Sequence, residues 1–301
     1  GFVVWGRSRS GLESPSDGNT GKICQCSGLY FCTSIQGPWL VGNNISFCMA
    51  DHKARVSSVN DLAPVEIEKS IHLRCAVAIF AKTIGLSDVK TRLAADIGKD
   101  KAEAFFRLSI DCVQAFVAEA GEAFPEVIFP VWVVAEEQGP EHWRDRTFPA
   151  IWTGEGGLGA RLANVSEHLF ETYDAVMMIG TDSPQLSPTV IVDAVSRLAG
   201  GVCEVVTGPA ADGGFYLFAS REPIAREVWE AVTYSNENTL AQLVEFLEHQ
   251  TFKVDCLETA QDVDTLEDLR TLQTVLSKNT ERLNAQQSKL LHWLNENSDL
   301  F

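Results

Sequence analysis

From residue 73 onward, short apolar runs alternate with longer stretches in which apolar residues recur every three or four positions. The run CAVAIFA (75–81) is apolar throughout, the pattern of a strand buried on both faces. KDKAEAFFRLSIDCVQAFVAEAG (99–121) carries its apolar residues at helical spacing. VIFPVWVVA (127–135) and PAIW (149–152) read as strands, LGARLANVSEHLFETY (158–173) as a helix, DAVMMIGTD (174–182) as a buried strand and SPTVIVDAVSRLA (187–199) as the next helix. CEVVTGPA (203–210) and GGFYLFA (213–219) are two further strands. They are followed by helices at IAREVWEAV (224–232) and NTLAQLVEFLEH (238–249), the strand-like TFKVDCLE (251–258) and a helix from Thr265. Such alternation predicts an α/β fold, a mostly parallel central sheet with helices on both faces.

The two ends read differently. Residues 1–70 are rich in Gly, Ser and Asn, have weak apolar periodicity and hold Cys24, Cys26, Cys32 and Cys48. This is expected to be a poorly ordered or irregular N-terminal extension. Zinc binding by the four cysteines is the rival reading, but their spacing lacks paired C-x-x-C hooks. The regular part, 71–276, is expected to be one domain. The segment 277–301, with Leu283, Leu290, Leu291 and Leu294 at helical intervals, is expected to be a C-terminal helical tail, docked or frayed.

Composition narrows the partners. Acidic residues outnumber Lys plus Arg by 41 to 24, and the formal charge is -17, which argues against a nucleic-acid backbone as the main partner. No apolar stretch approaches the roughly 20 residues needed to cross a bilayer, and the start lacks a secretory pattern. A cytoplasmic protein without a membrane partner is expected. Cys75, Cys112, Cys203 and Cys256 sit singly in apolar elements, as buried reduced thiols do. Nothing in the sequence fixes an oligomeric state.

In a parallel sheet the loops that leave the carboxyl ends of the strands open on one edge, so their chemistry can be pooled. After the first strand, KTIGLSDVKTRLA (82–94) gathers Lys82, Lys90 and Arg92, which are suited to phosphate oxygens; a solvated basic turn is the plain alternative. GEGGLGARL (154–162) satisfies G-x-G-x-x-G between a strand and a helix, so Gly156, Gly157 and Gly159 are candidates for close backbone approach to a nucleotide. The same pattern admits an NAD-dependent oxidoreductase, with Asp182 at a ribose hydroxyl. That fingerprint normally opens its domain, however, and here at least two strand–helix units precede it. Of the histidines that could serve such an enzyme, His142 and His168 lie nearest in sequence.

Asp182 in MMIGTDSPQL ends a buried strand, where a hard oxygen ligand is suited to Mg²⁺; it is equally suited to capping the following turn. Asp212 precedes two glycines in GPAADGGFYLF, and Asp262, Asp264, Glu267 and Asp268 lie at a helix entry, where Asp264 is also a plain N-cap candidate. Capping accounts for one acid but not for three separate loops. Two carboxylates meeting at one divalent ion account for the set, because Mg²⁺ usually takes one or two protein ligands plus substrate oxygens.

AIFAKTIGLSDVKTRLAADIG, GEGGLGARL, MMIGTDSPQL, GPAADGGFYLF, VTYSNENTLAQL and DVDTLEDL, in that order, resemble the glycosyltransferase-A-like family of radical-SAM/selenodomain-associated transferases, domain of unknown function 2064, over residues 73–276. The resemblance implies a GT-A-like nucleotide-diphospho-sugar transferase fold. It also implies an Mg²⁺- or Mn²⁺-dependent glycosyl or nucleotidyl transferase that acts on a nucleotide sugar or nucleoside triphosphate and a small-molecule acceptor. On this reading Lys90 and Arg92 meet phosphates, Asp182 and Asp264 are metal ligands, and Asp212 lies against the acceptor or the metal. A nucleotide-binding regulatory protein without turnover is the alternative. The chain departs from the family at Ile84 and Asp88, near where members tend to have proline, and a carboxylate at 88 is expected to weaken anion binding.

Overall fold

The computed structural model describes residues 73–300. The expectations for residues 1–70, including the zinc reading of their cysteines, lie outside the described residues.

The chain runs β1 (Cys75–Ala81), α1 (Thr91–Ile97), α2 (Lys99–Ala123), β2 (Ile128–Val134), α3 (Gly139–His142), β3 (Ala150–Trp152), α4 (Leu158–Phe170), β4 (Ala175–Ile179) and α5 (Pro188–Ala199). It continues through β5 (Val205–Pro209), β6 (Phe215–Ser220), α6 (Arg226–Ala231), α7 (Thr239–His249), β7 (Val254–Cys256), α8 (Leu266–Lys278) and α9 (Ala285–Glu296). The strands form one seven-stranded sheet in the order β3-β2-β1-β4-β6-β5-β7. Every pairing is parallel except those of β6, which is antiparallel to both β4 and β5. Its direction follows from chain length. Only residues 210–214 join β5 to β6, enough for a hairpin, whereas a parallel return needs a crossover of about a dozen residues or more.

The continuous apolar character of β1 has the reason expected of it. Cys75, Val77 and Ile79 enter the core on the α2/α5 side of the sheet, and Ala76, Ala78 and Phe80 enter the core on the α4/α6/α7 side. A residue of either parity must therefore be apolar. Helices cover both faces, as expected. A third cluster joins α1, α2, α8 and α9 through Leu93, Phe105, Leu269, Leu290 and Leu294. The C-terminal tail is thus a docked helix. The basic loop after β1 is shorter than its reading implied, because TRLAADI, with Leu93 and Ile97 buried, is already helix α1.

The carboxyl ends of the parallel strands and the start of β6 share one edge of the sheet. Ile179, the last residue of β4, pairs with Leu217 near the start of β6, and the register Ala81 to Val134 aligns the ends of β1 and β2. All the loops singled out in the sequence leave from this edge.

Candidate active site

Three of these loops meet at one ammonium. Lys90 Nζ lies 2.6 Å from Asp182 Oδ1, 2.9 Å from Asp264 Oδ1 and 2.5 Å from the carbonyl oxygen of Val263. The Lys90 and Asp182 side chains are each 4% exposed and that of Asp264 is 21% exposed, so the cluster sits just beneath the surface.

Each partner is held by its own local structure. Lys90 is the residue before α1 and has φ 46° and ψ 45°. This left-handed conformation is sparsely populated for a residue with a Cβ. Asp182 follows β4 in a loop braced from several sides. The Asp182 carbonyl accepts from Val263 N (2.9 Å), Thr181 O accepts from Ser109 Oγ of α2, and Gln185 Nε2 donates to Gln261 O (2.5 Å). The Asp182 carboxylate is directed at Lys90, and the N-cap of α5 is Ser187.

Asp264 is also freed from capping. Thr265 is the N-cap of α8 and forms a capping box with Asp268. Asp268 Oδ2 accepts from the backbone N–H groups of Asp264 (3.0 Å) and Thr265 (2.8 Å). The neighbours therefore satisfy the helix terminus, and Asp264 is left to face Lys90.

The electrostatics follow from burial and proximity. Burial pulls the Lys90 ammonium toward neutrality, but attraction to Asp182 and Asp264 outweighs it and the pKa is raised. Burial raises the Asp182 carboxyl, and Asp264 adds to this, against the pull of Lys90. Burial also acts to raise Asp264, but the charge and hydrogen bond of Lys90 prevail and hold it below its ordinary value. Lys82, also buried, has its pKa lowered by desolvation, and its Nζ donates to the carbonyl of Asp88 (3.2 Å). The Asp88 carboxylate itself is exposed and lies 3.5 Å from Lys99 Nζ, so it is engaged outside the Lys90 cluster. Arg92 is exposed on the first turn of α1 and adds to the field that lowers Asp264.

The remaining predicted residues are on the same edge without joining the cluster. Asp212 is exposed at the tip of the β5–β6 hairpin, where its Oδ1 accepts from Gly214 N (2.9 Å). The hairpin leans on the first turn of α7 through Leu240 N donating to Gly213 O (3.0 Å). Gly156 and Gly157 are exposed, and nothing lies within 4 Å of a Cβ placed on Gly157. Gly159 is buried for a different reason: a Cβ there would collide with the backbone oxygen of Trp229, so this glycine lets α4 pack against α6. His142 and His168 are exposed, and no contact of either with the cluster is found.

Two side chains at this edge were missed in the sequence. Glu136, just after β2, accepts the N–H of Thr83 on Oε2 (2.9 Å), while its Oε1 is buried without a hydrogen-bond partner. Arg161, in the first turns of α4, donates to Gly156 O (2.8 Å), Ala135 O (2.6 Å) and Thr153 Oγ1 (2.7 Å), fixing the glycine loop to the end of β2. The signal for Glu136 was its place at the carboxyl end of a parallel strand.

Residues 120–236 match the family described as "Uncharacterized protein conserved in bacteria (DUF2064)". The family resemblance read from the motifs is borne out. The matched stretch holds the glycine loop, Asp182 and Asp212, whereas Lys82, Lys90, Arg92 and Asp264 lie outside it. A Desulfovibrio desulfuricans G20 protein assigned as a nucleotide-diphospho-sugar transferase is 23% identical over 75% of this chain and 96% of its own, with a TM-score of 0.65. This likeness shows that the two chains share a fold, a mostly parallel α/β sheet covered by helices, as expected. A cytidylyltransferase from Leptospira borgpetersenii serovar Hardjo-bovis superposes less well, at 15% identity over 76% of this chain and 97% of its own, with a TM-score of 0.44. No curated protein matches the sequence. None of the described helices is long and apolar enough to cross a membrane.

Proposed function

We propose that the chain is a divalent-metal-dependent transferase that takes a nucleotide sugar or nucleoside triphosphate as donor and a small molecule as acceptor. The observation that carries this reading is the convergence of Asp182 and Asp264, from loops more than eighty positions apart in sequence, on one cation at the ligand-binding edge of the sheet.

The donor set fits Mg²⁺ or Mn²⁺. No group of three or more His, Cys, Asp or Glu placed so as to hold a metal ion by itself occurs among the described residues. Mg²⁺ in phosphoryl-transfer sites is nonetheless held by one or two carboxylates, with substrate oxygens and water completing its shell. Asp182 and Asp264 would supply those carboxylates. When bound, such an ion neutralises phosphate charge and stabilises the departing phosphate.

The chain's own residues perform the rest. Lys82 and Arg92 bring positive charge to the donor phosphates, and Lys90 adds to it. Gly157 leaves open space in which a nucleoside approaches the backbone, exposed Gly156 adds no side chain beside it, and Arg161 holds their loop in place. Asp212, exposed on the same edge, would accept a proton when the acceptor is a hydroxyl. An acceptor phosphate or carboxylate attacks phosphorus in line without such a base.

Incubation of the purified chain with the four common nucleoside triphosphates, a panel of nucleotide sugars and candidate acceptors tests the reading. Pyrophosphate release identifies nucleotidyl transfer, and nucleoside diphosphate release identifies glycosyl transfer. Binding of donors without either product, in Mg²⁺ and in Mn²⁺, would replace the transferase with a nucleotide-binding protein that lacks turnover.

A further inference from the structure

We infer that Lys90 is the resident cation of the Asp182–Asp264 pair and competes with a divalent ion for it, so that metal binds only as the ammonium leaves. This rests on the reading of the two acids as metal ligands.

An ammonium has three N–H donors and no acceptor. The Lys90 Nζ has three oxygens within 2.9 Å: Asp182 Oδ1, Asp264 Oδ1 and Val263 O. It donates hydrogen bonds to Asp264 Oδ1 and Val263 O and is ion-paired with Asp182 Oδ1, so it is directed at the acids rather than at a phosphate. The lysine that the motif assigns to an anion is, in this arrangement, spent on carboxylates. It stands between one carboxylate oxygen of each acid. A divalent ion bound by these oxygens and the ammonium would bring two cations together in a buried site, at a distance where repulsion is barely screened. The site therefore holds one or the other.

The exchange has an exit. The Lys90 backbone is left-handed, and a residue with a Cβ gains by leaving that conformation. A phosphate-bearing ligand supplies oxygens to replace those the ammonium gives up. Lys90 then acts as a specificity-determining residue: the free protein disfavours a bare metal ion, and an anionic ligand together with the ion is preferred over either alone.

Mn²⁺ alone is the probe, with binding to the 301-residue chain followed by electron paramagnetic resonance in the absence of nucleotide. Lys90→Met removes the ammonium and keeps the length of the side chain. The expected result is at least tenfold tighter Mn²⁺ binding than in the wild type, with the gain abolished in Lys90→Met/Asp182→Asn. Mn²⁺ binding by Lys90→Met no tighter than the wild type overturns the inference.

Because the variant can fail to fold, a second measurement uses the wild type. Reductive methylation of Lys90, mapped by mass spectrometry against exposed Lys99, is expected to be slow without metal and at least fivefold faster at saturating Mn²⁺. Unchanged methylation at saturation overturns the inference and makes Lys90 a permanent counter-ion. Neither measurement involves turnover. Donor consumption with Lys90 still protected would sink this inference and leave the transferase standing; metal exchange without consumption would do the reverse.

Discussion

The C-terminal helix reaches into the loop that carries Asp182, and cutting that link gives a calculable result. Gln287, in the first turn of α9, is 5% exposed, and its Nε2 donates to Pro184 O at 3.0 Å and to Leu186 O at 2.9 Å. Its Oε1 meanwhile accepts from Asn284 N at 3.2 Å as part of the capping box of α9. Gln287→Ala removes both donations. Each is worth about 1 kcal/mol net, and a carbonyl left buried without a partner costs about 1–3 kcal/mol. With partial relief from water, a total of about 2–4 kcal/mol is expected from these two bonds. Gln287→Glu is the sharper variant, because it keeps the volume and the capping acceptor but replaces the one donating nitrogen with an oxygen facing both carbonyls. Its cost at neutral pH should equal or exceed that of alanine. Urea unfolding gives the magnitude, and hydrogen exchange of peptides spanning 178–188 gives the location. Leu290→Ala is the control. It empties a buried site on the same helix at about 2–5 kcal/mol without touching the loop, and should leave local exchange there unchanged. A cost below about 0.5 kcal/mol for Gln287→Ala, with unaltered exchange around Asp182, would refute the bracing role.

Other consequences are separable. Gly159→Ala should cost about 3 kcal/mol by forcing α4 off α6, whereas Gly157→Ala, into open space, should stay within about 1 kcal/mol; thermal midpoints of the two variants decide. Burial pushes the Cys75 and Cys112 thiols up to about 12, so iodoacetamide at pH 8 should leave both unmodified in the native chain and alkylate both in denaturant, as read by peptide mapping. The Asp264 carboxyl is held below its ordinary 3.8 because the charge of Lys90 outweighs its own burial. The stability it contributes is present above that value and is lost as pH falls through the lower folded value. Asp264→Asn should therefore flatten the loss of stability on the acid side of pH 4. An acid limb as steep as that of the wild type would show that the ion pair does not act on folding.

Much of the fold was legible because its signals are local and redundant. The apolar run of β1 could only be a strand covered on both faces, and the spacing in 99–121 fits α2 over nearly its whole length. The loop chemistry was legible at a coarser level. Pooling the carboxyl-edge loops brought Asp182, Asp212 and the acids of QDVDTLEDL to one edge, and the family resemblance singled out Asp264 among them. What escaped the sequence was long-range or competitive. Nothing in QDVDTLEDL distinguishes Asp264 from Asp268 as the capping acid; that was settled when Thr265 turned its hydroxyl to the N–H of Asp268 and Asp268 turned back. Gly159 carries the same symbol in the motif as Gly156, yet the third glycine is required by Trp229, a residue seventy positions later.

The same distinction bears on the lysine at the centre. A motif states which groups arrive at a rim, and a cation in a phosphate-loop pattern is naturally assigned to phosphate. Which oxygens it takes is decided by competition among all those within its reach, and two buried carboxylates offer more than solvent when no ligand is bound. Lys90 therefore satisfies the acids in the free chain and can serve a phosphate only by abandoning them. The loop motif and the carboxylate pair, read separately as an anion site and a cation site, are coupled through this one side chain. On the inferred exchange, each site would be completed only when the other is filled, which is the condition for donor and metal to enter together.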